Sequence, residues 1–214
     1  MAYKLLQLAR TKEERDLHKI YGHPGIEGIY GGGCIQSPDM MLVFMNPTAR
    51  NVASAPSWRG IRAPWIGVQK VWNMLAGLNL IDGEAVPRGW DELSAEKLYT
   101  HIAERKLYVT NLASCTQPDA RHLSDSIFRE YLPVLHKEIM SIKPNKIITL
   151  GNQVSSILLQ KPISVSSYLN GESEKLVLNG VAYNVYPTYY PVGQGQRNMP
   201  KAIKRIQSII KQVA

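Results

Sequence analysis

The feature that most constrains this chain is a repeated change of period. Three short, unbroken apolar runs stand out: MMLVFM at 40–45, LYVT at 107–110 and KIITL at 146–150. Each is followed by a polar segment and then by residues with apolar side chains at helical spacing. A continuous apolar run of about four to eight residues suits a strand buried on both faces, whereas a half-exposed strand alternates. Strands alternating with helices predict a parallel sheet covered on both sides, because parallel neighbours need long crossover connections. The expected fold class is α/β, a three-layer αβα sandwich with a central, mainly parallel four-stranded sheet. No repeat, low-complexity tract or linker interrupts the pattern, so residues 1–214 are expected to form a single domain.

Periodicity and punctuation place the other elements. Residues 11–21 are expected to be helical, with Thr11 and Glu14 as a capping box. Further helices are expected over 66–79, over 94–105 with Ser94 as N-cap, over 125–142 up to Pro144, over 153–160 and over 199–213. Asn179-Gly180 is a hairpin signal between 175–178 and 181–187. The glycine-rich stretch GHPGIEGIYGGG at 22–33 lacks the Gly-Lys-Ser/Thr ending of a phosphate loop and reads as a surface loop.

Composition narrows the class. Hydrophobic residues make up 44% of the chain, as in a folded protein. No apolar run approaches the roughly 20 residues of a membrane helix. The start, MAYKLLQLARTKEERD, turns charged too early for a secretion signal, so a cytoplasmic location is expected. Lys and Arg number 25 against 17 Asp and Glu, a net charge of +8 that favours polyanions through counterion release. Cys34 and Cys115 form no CxxC pair, and His18, His23, His101, His122 and His136 have no ligand-like spacing, so no metal is expected.

In open α/β sheets ligands bind at the carboxyl ends of strands. Three such ends carry polar, proline-containing loops, after Phe44-Met45, after Val109-Thr110 and after Asn184-Val185. These loops are expected to converge on one crevice. Five short motifs fall at or near them, in order: FMNPT (44–48), RAPWIG (62–67), VTNLASCTQPDAR (109–121), IITLG (147–151) and YPT (186–188).

Together these motifs resemble the uracil-DNA glycosylase superfamily. FMNPT is similar to the Gly-x-Asn-Pro-Gly of the mismatch-specific and single-strand-selective branches, with Thr48 in place of the second glycine. RAPWIG, VTNLASCTQPDAR and IITLG resemble the corresponding motifs of the iron–sulfur branches. YPT stands where most branches have His-Pro-Ser, so Tyr186 replaces the usual histidine. Cys115 falls at one cluster-ligand position, but the partner cysteines are missing, so no iron–sulfur cluster or other cofactor is expected.

The resemblance implies a monofunctional DNA glycosylase of base excision repair, acting as a monomer near the nucleoid. It would hydrolyse the N-glycosidic bond of a flipped uracil or other deaminated nucleotide. Asn46 would then orient the water and Tyr186 would donate to the departing base. Asn111 would read the uracil edge, beside Met45 and over a stacking wall at Trp65. Arg62, Arg121, Thr188, Tyr189, Tyr190 and Arg197 would contact DNA, with Tyr189, Tyr190 and Pro191 filling the space left by the base. Taken alone, Asn46-Pro47 ends a strand, Asn111 forms a turn, Trp65 fills a core, and lone arginines are solvated. The alternatives are a DNA-binding member without catalysis, a hypoxanthine-specific glycosylase, and an unrelated nucleotide-binding α/β protein.

Overall fold

The computed structural model describes residues 12–120 and 123–212, and only the backbone of Gln194. Helix α1 (Lys12–Tyr21) carries Glu13 and Glu14 in its first turn and His18 and Lys19 in its last, matching the helix dipole at both ends. The pair β1 (Gly32–Gly33) follows, then β2 (Met40–Phe44), α2 (Gln69–Gly77) and α3 (Glu92–Glu104). Next come β3 (Leu107–Asn111), α4 (Asp125–Ile142), β4 (Ile147–Leu150) and α5 (Asn152–Leu159). The chain closes with the hairpin β5 (Glu174–Leu178) and β6 (Val181–Thr188), then α6 (Met199–Lys211).

One sheet forms in the order β1-β3-β2-β4-β6-β5. Its middle four strands are parallel, as expected from the three apolar runs and the strand after Asn179-Gly180. Two antiparallel edges, β1 on β3 and β5 on β6, raise the count from the expected four to six. The hairpin turn holds Asn179 at φ 47° and Gly180 at φ 80°, the left-handed pair of a type I′ turn.

Three local expectations change. The segment 22–33 is not a surface loop, because Ile29 and Tyr30 are buried and Gly32–Gly33 pair with Val109 and Tyr108. A Cβ on Gly33 would lie 2.3 Å from the Leu107 carbonyl oxygen, so this close approach requires glycine. Helix α3 starts earlier than expected: Asp91 caps it and exchanges hydrogen bonds with Ser94, which is therefore its third residue. Helix α2 starts later, at Gln69, because Trp65 (φ 66°) and Gly67 (φ 93°) hold the preceding turn in left-handed conformations. The expected cap at Thr11 lies outside the described residues.

Side chains divide between the two faces by strand parity. Met40, Leu42, Phe44, Ile148, Leu150 and Tyr186 pack under α2, α3 and α6. Met41, Val43, Ile147 and Val185 pack under α4 and α5, with α1 lying against α4. The chain thus leaves β2 toward one face and leaves β3 and β4 toward the other. That divergence opens a crevice at the carboxyl end of β2. Among the described residues, no helix is long and apolar enough to cross a membrane.

Candidate active site at the strand carboxyl ends

A cleft of about 1370 Å³ occupies this crevice, between the loops that follow β2, β3, β4 and β6. Its first wall continues the β2–β3 ladder. Leu112 N–H donates to Phe44 O (2.7 Å) and Ala113 N–H to Met45 O (3.0 Å), and Thr48 then bridges to Gln117 in parallel register. Residues 23–30 lace these two loops together. His23 N–H donates to Thr116 O, Glu27 N–H to Ser54 O and Ile29 N–H to Ser114 O, and Thr116 Oγ1 donates back to Glu27 O. The N-terminal segment therefore braces the cleft as well as covering the sheet.

On this braced wall stand Met45, Asn46 and Asn111. Asn46 turns its Nδ2 onto Pro47 O (3.1 Å), which leaves Oδ1 without a partner among the described residues, open to accept from a water. Asn111, the last residue of β3 and the register partner of Phe44, is 7% exposed, and its buried Nδ2 has no partner. A buried unpartnered amide costs free energy, about 1–3 kcal/mol, until something accepts from it. Trp65 forms the adjoining wall, its ring edge-on to Phe44 at 4.7 Å between centroids, its Nε1 also buried and unpartnered. Its φ of 66° is rare for an aromatic residue, and such strain persists only where the surroundings enforce it.

The opposite wall comes from the loop after β6. Tyr189 and Tyr190 line the cleft, Tyr190 edge-on to Phe44 at 6.2 Å. Burial pushes the Tyr190 phenol well above its ordinary pKa, so it stays protonated, and no group among the described residues accepts from it. The loop folds tightly over it: a Cβ on Gly195 would lie 2.3 Å from the Tyr190 carbonyl oxygen.

The expected placement of Tyr186 does not fit. Tyr186 lies inside β6 as the cross-strand partner of Ile148, and its side chain is buried in the core beneath α6. Strand β6 runs on to Thr188, so the Tyr-Pro pair that emerges at the strand end is Tyr190-Pro191, four residues later. Thr188 is also taken up: its hydroxyl donates to Tyr186 O and it is fully buried, out of reach of DNA. Arg62 aims its guanidinium at the carbonyls of Ala53, Ala55 and Trp58, and burial lowers its pKa. It clamps the 53–58 loop instead of facing the cleft. Arg197 is exposed on the rim between the cleft residues Gln196 and Asn198, while Arg121 lies outside the described residues.

Several lining residues carried no motif. Lys70, at the start of α2, donates to Gln196 across the mouth (2.8 Å). The far end is built by Asn152, Gln153, Ser164 and Ser166. Asn152 Oδ1 accepts from Val165 N–H (2.9 Å), pinning the serine turn to the start of α5. Only the Gly151-Asn152 turn hinted at this wall in the sequence.

The residues present do not fit an iron–sulfur cluster. Cys115 is buried in the apolar cluster with Tyr131 and Leu112, its thiol pKa raised by burial, and Cys34 lies apart, donating to Gln36 O. Among the described residues, no three His, Cys, Asp or Glu side chains gather as metal ligands.

A type-4 uracil-DNA glycosylase of Saccharolobus solfataricus is 29% identical over 93 residues, covering 42% of this chain and 43% of that protein. The aligned stretch thus spans less than half of that relative. The family model described as the Uracil DNA glycosylase superfamily matches residues 33–213, a span that includes strands β2 to β6, both walls of the cleft and all the candidate residues. The chain belongs to the uracil-DNA glycosylase superfamily.

Proposed function

We propose that this protein is a DNA glycosylase that excises uracil, or a closely related deaminated base, by hydrolysis. One observation carries the reading. Two asparagine amides at the ends of adjacent parallel strands present an unpartnered acceptor and an unpartnered buried donor to one aromatic-walled cleft. The reaction needs a water placed under C1′, a reader for the extruded base, and a group that steadies the base as its bond to C1′ breaks.

Asn46 Oδ1 accepts from the attacking water and orients it. The amide is too weakly basic to take the proton early, so the bond to the base breaks well ahead of water addition. Asn111 supplies the reader, because a side-chain amide offers a donor to uracil O4 and an acceptor for N3–H. The base stacks on Trp65. Tyr190 stands in the role the resemblance gives to histidine: its neutral phenol donates a hydrogen bond to the departing base. The C1′–N bond breaks, the electron pair leaves with the base, and water completes the abasic sugar while its proton passes to solvent.

The test is a panel of oligonucleotides containing uracil, hypoxanthine or thymine opposite guanine, followed by alkaline cleavage of abasic sites. Uracil strands are expected to break, and Asn46→Ala is expected to slow breakage by ~10²–10⁴-fold with DNA binding retained. Undiminished excision by that variant removes Asn46 from the mechanism. No cleavage of any substrate rejects the glycosylase reading.

A further inference from the structure

We infer that the protein carries a second nucleic-acid surface at the amino ends of its strands, which holds a separate segment of duplex DNA while the cleft is occupied. The glycosylase reading supplies the identity of the polyanion; charge and strand register supply the surface. Lys106 stands at the foot of β3 beside Asp39, whose N–H donates to Lys106 O (2.8 Å). Lys146 precedes β4, one residue below the Ile147–Val185 pair, and so adjoins Asn184, which pairs with Lys175 on β5. At about 4.8 Å per strand, the line from β3 to β5 spans about 19 Å. Phosphates of one DNA strand recur about every 3.4 Å along the axis, so the line meets a run of about five. The helix ends add to it. Arg105 caps α3, Lys143 caps α4 and Lys211 ends α6, which Lys146 Nζ fastens to the foot of β4 through Ile209 O.

Five of these six cations are exposed, and the side chains of Lys106, Lys143 and Lys211 have no partner among the described residues. The same turns hold two opposing carboxylates, Asp39 and Glu104. Asp39 accepts from Asn145 Nδ2, and Glu174, beside Lys175, is paired with Lys161. Lys106 and Lys143 adopt φ of 51° and 55°, left-handed positions where glycine is least strained. Attraction to the helix dipole offsets that strain and leaves both ammonium groups in solvent. DNA lying in the cleft does not reach this face. Lys106 and Asn111 bracket β3, about 17 Å apart at 3.3–3.4 Å per residue. Duplex DNA is stiff over roughly 150 bp, so one short segment does not wrap from one end of the strands to the other. Holding two segments raises the effective concentration of the second, so the protein passes between them without entering bulk solution.

The test is capture of a fluorescent, uracil-free duplex by protein already held on a second duplex fixed to beads, at constant salt. The wild-type protein is expected to retain the soluble duplex, and Lys106→Glu/Lys143→Glu to lower its retention by at least ~10-fold. Excision from a short uracil oligonucleotide is expected to be unchanged in that variant, which also shows that it folds. A control pair, Lys19→Glu/Lys97→Glu, makes the same charge change at exposed helix positions away from this face and is expected to retain the duplex. No capture by the wild-type protein, or equal capture by the Lys106→Glu/Lys143→Glu variant, overturns the inference. Equal loss in the control pair assigns capture to net charge, and a parallel fall in excision assigns the lysines to the cleft; either overturns it. Polyglutamate that displaces the soluble duplex at a lower charge concentration than unlabelled duplex assigns the face to an acidic protein and overturns it too. Capture that Lys106→Glu/Lys143→Glu abolishes, in a protein that excises nothing, sustains the second surface and rejects the glycosylase reading alone.

Discussion

Thr110 and Asn111 are neighbours on β3, yet the two faces of the strand put them in opposite situations. Thr110 points under α4, where its hydroxyl and that of Tyr108 both donate to the half-buried carboxyl of Glu138. Asn111 points into the cleft, where its buried Nδ2 meets nothing. The polar knot beneath α4 is internally satisfied and needs no ligand. The cleft end keeps a donor at Asn111 and an acceptor at Asn46 in reserve, on a wall braced by the β2–β3 ladder and by residues 23–30.

After Asn46→Ala, the largest expected effect again tests the unsatisfied side. Asn111→Asp replaces a donor with an acceptor, so uracil excision should fall by ~10²–10³-fold and cytosine should become a measurable substrate. Unchanged base preference in a competition assay would break the comparison.

The satisfied side has a pH signature. Burial raises the Glu138 pKa from 4.5 to about 7, with the Tyr108 and Thr110 hydrogen bonds opposing. The folded state therefore holds this proton more tightly than the unfolded chain. The stability it contributes is full below pH 4.5 and is lost as pH rises through about 7. The difference is about 3 kcal/mol. Urea melts at pH 5 and pH 8 should show this loss in the native protein and a smaller one in Glu138→Gln. An identical pH slope in the variant would show that Glu138 titrates as it would in water.

Two tyrosines sharpen the contrast next. Tyr190→Phe removes a donor from the cleft and should slow excision by about 10²-fold, the lower end of the range for such donors. Tyr186→Phe changes a core residue and should leave the excision rate on bound substrate unaltered. The reverse result would return the leaving-group role to Tyr186. The last test is Trp65→Ala, which removes a stacking face worth about 1–3 kcal/mol per base. It should appear mainly in KM, and a kcat-only effect would assign Trp65 to something other than stacking.

Much of this arrangement was legible from local pattern. The runs at 40–45, 107–110 and 146–150 read as strands because burial on both faces leaves no alternation to confuse them with a surface strand. Asn46 and Asn111 were legible because a parallel ladder aligns its strand ends, so residues just past two apolar runs arrive side by side. The edge pair Gly32–Gly33 was hidden because two glycines carry no hydrophobic period. Arg62 was misread because its carbonyl partners belong to the fold of the 53–58 loop, and no spacing rule encodes them.

The sequence by itself determined the α/β layering, the central parallel strands and the two asparagines at the carboxyl ends of β2 and β3. These follow from periodicity and from the fixed geometry of strand pairing, which act over a few residues. Only the tertiary structure decided which of two Tyr-Pro pairs meets the cleft. The length of β6 and its register against Ile148 send Tyr186 into the core and Tyr190 to the site. It also brought Lys70 to Gln196 and the 164–166 turn to the far wall, contacts made by segments distant in the chain. Such contacts have no local period, and they form only when the whole sheet has closed around its two cores.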